Sequence, residues 1–151
     1  MKRIMFVCHG NICRSPMAEI IFRDMVRKVG REAEFLIASR ATSTEELGNP
    51  VYPPARAELA KHGLSSEGKF AVQLKASDYD DFDLFIGMDS ANIRNMYRIF
   101  GKDPDGKIKK LMDLTERGGD VADPWYTGSF DVTYRDVYDG CKALLEQISD
   151  F

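Results

Sequence analysis

The chain has 151 residues, 44% hydrophobic and 30% charged, which suits one domain over residues 1–151 that needs neither disulfides nor a structural metal to fold. A formal charge of -3 with interspersed signs excludes a broad basic field for nucleic acid or an anionic membrane, so any attraction to phosphate must be local. No apolar run is long enough to span a bilayer, no signal-peptide pattern precedes the first apolar segment, and three cysteines do not make a secreted disulfide framework. The expectation is a cytoplasmic protein with reduced thiols.

Residues 3–8 are short and largely apolar, which predicts a strand. Met17, Ile20, Ile21, Met25 and Val29 then recur at helical spacing. Pro16 suits the first turn of that helix, where its missing N–H costs nothing, and Gly30 ends it. A second strand is predicted over 34–38, followed by a polar Ser/Thr-rich loop and a helix over about 54–62 ended by Gly63. Residues 84–88 read as a buried strand, with Asp89 placed to cap a helix carrying Ile93, Met96, Tyr97 and Phe100. A fourth strand is predicted over 108–112, and Phe130, Val132, Val137, Cys141, Leu144, Leu145 and Ile148 trace one face of a last helix. Strands alternating with helices imply an α/β, doubly wound fold, a parallel sheet with helices on both faces. The loop over 117–128 is long enough to invite a functional explanation.

The first strand–loop–helix unit carries the clearest chemistry. In Cys8-His9-Gly10-Asn11-Ile12-Cys13-Arg14-Ser15, a cysteine at a strand end is followed by five residues, an arginine and a hydroxyl residue that open a helix. Backbone N–H groups of such a loop turn inward, the helix N-terminus adds positive potential, and Gly10 and Asn11 tolerate the backbone angles an anion nest requires. Arg14 offers a planar fork to two phosphate oxygens. The same field favours a nucleophilic thiolate at Cys8, with the Ser15 hydroxyl as a donor.

A thiolate that attacks a phosphate ester needs a proton donor for the departing oxygen. Asp123-Pro124-Trp125-Tyr126 is the candidate: Pro124 stiffens the backbone beside the carboxyl group, and Trp125 and Tyr126 offer aromatic walls for a planar leaving group. Asp123 would donate first and then act as base toward water.

Residues 7–19, Val7-Cys8-His9-Gly10-Asn11-Ile12-Cys13-Arg14-Ser15-Pro16-Met17-Ala18-Glu19, together with Asp123-Pro124-Trp125-Tyr126, closely resemble the low-molecular-weight protein tyrosine phosphatase family. Gly48-Asn49-Pro50, His62-Gly63-Leu64 and Met88-Asp89 with Asn92 follow in the family's order. The resemblance implies a four-stranded parallel sheet, a phosphocysteine intermediate on Cys8, and no metal or organic cofactor. It implies that Arg14 binds the phosphoryl group with the loop residues His9, Gly10, Asn11, Ile12, Cys13 and Ser15, that Asp123 is the acid, and that Asn11, Ser15 and Ser39 support the loop. Its partners would be phosphotyrosine proteins or peptides, with inorganic phosphate as product. Cys13 sits where the family's second loop cysteine traps oxidised Cys8 as a reversible disulfide.

Three positions depart from the family pattern. Arg40 replaces a small residue, Glu45 stands where many members place an aromatic on the cleft wall, and Gly68 replaces a supporting histidine. Glu45 either repels acidic peptides or points to water. Ile12, where arginine phosphatases of this kind carry Thr, argues for a tyrosine ester. Cys141 on an apolar helix face is a poor relay for arsenate reduction and reads as core, and His62 near a helix end reads as a dipole-compensating residue.

Overall fold

The computed structural model describes residues 1–148 and 151. Four parallel strands, β1 (Lys2–Cys8), β2 (Phe35–Ala41), β3 (Leu84–Gly87) and β4 (Ile108–Lys110), form a sheet in the order β2-β1-β3-β4. Among the described residues six α-helices accompany them: α1 (Arg14–Lys28), α2 (Pro53–Lys61), α3 (Asp78–Asp81), α4 (Ser90–Phe100), α5 (Pro124–Thr127) and α6 (Phe130–Gln147). The chain leaves β1 toward β2 on one side and later returns to β3 on the other. The sheet's topological switch point therefore lies at the carboxyl end of β1, where open α/β sheets place their ligands.

Strand alternation divides the core. Ile4, Phe6 and Cys8 face α1 and α6, packing with Met17, Ile21, Phe22, Val137 and Leu144, whereas Met5 and Val7 face Phe85 and Met96 on the α4 side. Phe22 sets its ring edge-on between Phe6 and Phe35, at 5.8 and 5.5 Å. α6 packs onto this layer through Gly140, where a Cβ would lie 2.4 Å from Leu111 Cγ.

The doubly wound expectation holds, with differences at element ends. β2 extends three residues beyond the predicted strand because Ser39, Arg40 and Ala41 continue the ladder opposite Phe6, Val7 and Cys8. The polar side chains of Ser39 and Arg40 hide this from an apolar pattern. The predicted fourth strand stops at Lys110, where the buried Leu111 and Met112 open a 3-10 turn (Leu111–Leu114). α1 starts at Arg14, two residues before Pro16, and the short helices α3 and α5 have no periodicity to announce them.

Candidate active site

β1 delivers Cys8 to the switch point and α1 begins six residues later, so residues 9–13 must turn tightly between them. Asn11 takes the left-handed conformation that turn needs, at φ 58°. Its backbone N–H approaches Cys8 Sγ at 3.3 Å. Cys13, at the N-cap of α1, makes no side-chain cap, so the amides of the first turn are left to a ligand.

Beneath the loop a chain of hydrogen bonds runs from Val72 through Asn11 to two serines. Asn11 Oδ1 accepts from Val72 N–H, which turns its Nδ2 toward Ser15 Oγ (2.8 Å) and Ser39 Oγ (2.9 Å). Ser39 donates to the buried Glu19 carboxylate, which can only accept, and Ser15 is left to donate to Cys8 Sγ at 3.0 Å. Glu19 also receives Arg23 at 2.8 Å and Lys69 at 3.4 Å. The chain can thus present the Ser15 proton to the sulfur.

Arg14 is 3% exposed. One terminal nitrogen donates to Asp89 Oδ2 at 2.7 Å and to the Val121 carbonyl at 2.9 Å, and the other reaches Asp123 Oδ2 at 3.5 Å. These contacts fix the guanidinium plane and leave its Nε–NH2 edge for two phosphoryl oxygens. Burial pulls the Arg14 pKa down, but the charges of Cys8, Asp89 and Asp123 outweigh it and hold the value above that of free arginine. Asp89 caps α4 by accepting from Asn92 N–H, while Asn92 returns a bond to the Asp89 amide. One carboxylate therefore anchors a helix and the arginine.

Asp123 faces this floor from a separate loop, which is tied to the sheet by Val121 N–H donating to the Met88 carbonyl at 2.8 Å. Its Oδ1 accepts from Trp125 N–H and caps α5. Trp125 leans on Tyr52, with ring centroids 4.8 Å apart, and Tyr126 stands out into solvent. Together with Cys8, His9, Gly10, Ile12, Cys13 and Arg14, these residues and the side chains of Glu45 and Glu46 enclose a cleft of about 340 Å³. Asn11, Ser15 and Ser39 lie behind it as buried supports.

The remaining candidates separate by burial. Cys13 is 6% exposed, and burial, then the neighbouring charge of Cys8, pushes its thiol up to about 12, so it is a neutral thiol beside the loop. Cys141 is wholly buried, its thiol pushed up by burial, and its Sγ points at the Ala18 carbonyl in the core. His62 stacks flat on Tyr134 at 3.7 Å and bonds Glu58, a packing role away from the cleft. His9 points outward and pairs with Glu45 at 3.0 Å. Arg40 bends back to the Ser39 carbonyl. Among the described residues no group of three or more His, Cys, Asp or Glu is placed to hold a metal ion.

Sequence reasoning missed four participants. Lys69, beside Gly68, reaches both Glu19 and the Ser39 carbonyl. Glu19 was visible as a charge on the apolar face of α1, between Ala18 and Ile20, where a buried carboxylate demands partners. Asp89 was read as a helix cap alone, and Glu46 carried no signal beyond its neighbour.

Anion-binding amides above a strand-end sulfur, with a carboxyl group across the cleft, are the equipment of enzymes that take a phosphoryl group onto cysteine. Residues 3–150 match the family model described as low molecular weight phosphotyrosine protein phosphatase. The chain is 40% identical to the low molecular weight protein-tyrosine-phosphatase YfkJ of Bacillus subtilis, over 98% of this chain and 96% of that protein. It is 38% identical to the low molecular weight phosphotyrosine protein phosphatase of Schizosaccharomyces pombe, over 97% of each. The crystal structure of YfkJ superposes with a TM-score of 0.95, covering 99% and 96% of the two chains. That of a low molecular weight protein tyrosine phosphatase from Streptococcus pyogenes gives 0.87 at 38% identity, covering 98% and 93%. The chain belongs to the low molecular weight phosphotyrosine protein phosphatase family.

Proposed function

We propose that the protein hydrolyses phosphotyrosine and other aryl phosphomonoesters through a phosphocysteine on Cys8. The observation that carries this is the convergence of Cys8, the open edge of Arg14 and the Asp123 carboxyl on one cleft. The loop amides and Arg14 grip the phosphoryl oxygens. Cys8 Sγ then bonds to phosphorus as the phosphorus–oxygen ester bond breaks, and Asp123 gives its proton to the departing phenoxide. In the second half Asp123 takes a proton from water as the water oxygen attacks phosphorus, and Cys8 leaves as a thiolate stabilised by Ser15. Inorganic phosphate is released.

Cleft depth supports an aryl ester, because a phosphoserine side chain is too short to bring its phosphorus to the sulfur of a residue that is buried at the cleft floor. Ile12 in the lining offers apolar contact to an aromatic ring and no hydroxyl to orient an N–P bond. Cys13 serves as the partner that captures oxidised Cys8 before sulfinic acid forms, and the free thiols fit the reducing cytoplasm.

The test compares an aryl phosphate, a phosphotyrosine peptide and a phosphoarginine peptide, using wild type, Cys8→Ser and Asp123→Asn. Aryl substrates should turn over fastest, Cys8→Ser should be inactive, and Asp123→Asn should lose about 10²–10⁴-fold, most for poor leaving groups. Inert aryl esters, or an active Cys8→Ser, would overturn the mechanism.

A further inference from the structure

We infer that the cleft mouth selects phosphotyrosine with a lysine or arginine close beside it in the peptide, an inference that rests on the phosphatase reading above. The floor and the rim of this cleft ask for opposite charges. At the floor, the loop amides and Arg14 await a phosphoryl dianion. Arg14 is buried and partnered by Asp89, Val121 and Asp123, so its remaining edge serves the phosphoryl group and not the rim. On the rim, the lining carries the carboxylates of Glu45 and Glu46 together with Trp125 and Tyr126.

Each rim residue favours a cation. Glu45 is held by His9, which meets its Oε2 at 3.0 Å; its side chain is 69% exposed, so the carboxylate can accept a second donor from a ligand. Glu46 is braced differently: Asn49 donates to its Oε2 at 2.6 Å, and its stem lies against Gly10, with Cγ 3.4 Å from where a glycine Cβ would stand. Two carboxylates are thus fixed at the entrance instead of being left to swing into water. In the same lining, Trp125 and Tyr126 are 53% and 84% exposed, and aromatic faces attract ammonium and guanidinium groups.

A phosphotyrosine reaching the floor leaves its flanking residues at this rim. A bare dianion must pass two carboxylates, which repel it, whereas a flanking lysine or arginine meets both carboxylates and an aromatic face. A flanking glutamate adds repulsion. The competing account is that Glu45 serves only to clamp His9 and shape the loop. Glu45→Gln separates the two, because glutamine keeps an acceptor for His9 and removes the charge.

The experiment uses phosphotyrosine peptides identical except for Arg, Ala or Glu beside the tyrosine, with p-nitrophenyl phosphate as a substrate that has no flanking residues. Wild type should favour the Arg over the Glu peptide by about fivefold in kcat/KM, the size of an exposed ion pair. The difference should lie in KM and shrink at high salt. Glu45→Gln should lower this ratio toward one, and Glu45→Lys should invert it. Equal kcat/KM for Arg and Glu peptides in wild type, or an unchanged ratio in Glu45→Gln, overturns the inference. If p-nitrophenyl phosphate is hydrolysed while the peptide ratio is flat, only the charge selection fails; if it is inert, the phosphatase reading fails as well.

Discussion

Lys69 and Glu19 offer the sharpest energetic test, because removing one or the other should have very different consequences. Their charges lie 3.4 Å apart, with side chains only 14% and 10% exposed. At an effective dielectric of about 20 the gross attraction is about 5 kcal/mol. Burial nevertheless holds the Lys69 pKa below that of free lysine, with Glu19 pulling the other way and Arg40 and Arg23 adding repulsion. Desolvation of the ammonium therefore exceeds what Glu19 returns. Lys69→Met should cost about 1 kcal/mol or less, since Glu19 keeps Ser39 and Arg23 and methionine fills the space.

Glu19→Gln leaves the half-buried ammonium without its counter-charge and should cost about 3 kcal/mol. The double variant should lose less than Glu19→Gln alone. Urea unfolding of the four proteins gives the cycle. Additive losses, or a Lys69→Met loss as large as that of Glu19→Gln, would refute the reasoning. The pH dependence follows from the same shift. Between the lowered value of Lys69 and the ordinary lysine value of 10.5, the unfolded chain binds more protons than the folded one. Wild type should then gain stability on Lys69→Met as pH rises through that window.

Asp89→Asn keeps the α4 cap but loses the charge beside Arg14; kcat/KM for an aryl phosphate should fall at least about tenfold with little change in Tm, and a large drop in Tm with normal kcat would contradict this. Peroxide inactivation of wild type should reverse with a thiol reductant, whereas Cys13→Ser should recover poorly; equal recovery removes the protective role of Cys13. Ile12→Thr should raise phosphoarginine turnover relative to phosphotyrosine turnover, and an unchanged ratio assigns that choice to other residues. Gly140→Ala forces a Cβ to within 2.4 Å of Leu111 and should destabilise by about 1–3 kcal/mol, read as a lower urea midpoint.

Cys8 and Arg14 were legible in the sequence because both their roles and their context are local: a strand before, a helix after, and a fixed spacing between. Asp123 was legible as a second local motif. Ser39 came only through the family resemblance, and its place on β2 was concealed because the polar end of that strand breaks the apolar pattern. Asp89 shows the limit most clearly. Its capping box involves Asn92, three residues away, while its bond to Arg14 spans 75 residues and depends on β3 ending beside β1. Lys69 was missed by one position, since a loop does not keep register and the side chain that reaches Glu19 comes from the neighbour of Gly68.

β1 lies between β2 and β3 and carries residues of both core layers, so Cys8 is rooted in the part of the molecule that opens last. Asp123 hangs from a loop whose ties to the floor include one backbone bond and the grip of Arg14 on Val121. The two parts of the site, strand-end cysteine and carboxyl loop, thus differ in mechanical robustness. A molecule that has lost only the acid loop keeps its nucleophile and its anion nest, and it becomes a phosphate trap: still able to accept a phosphoryl group from a good leaving group, and slow to give it back to water.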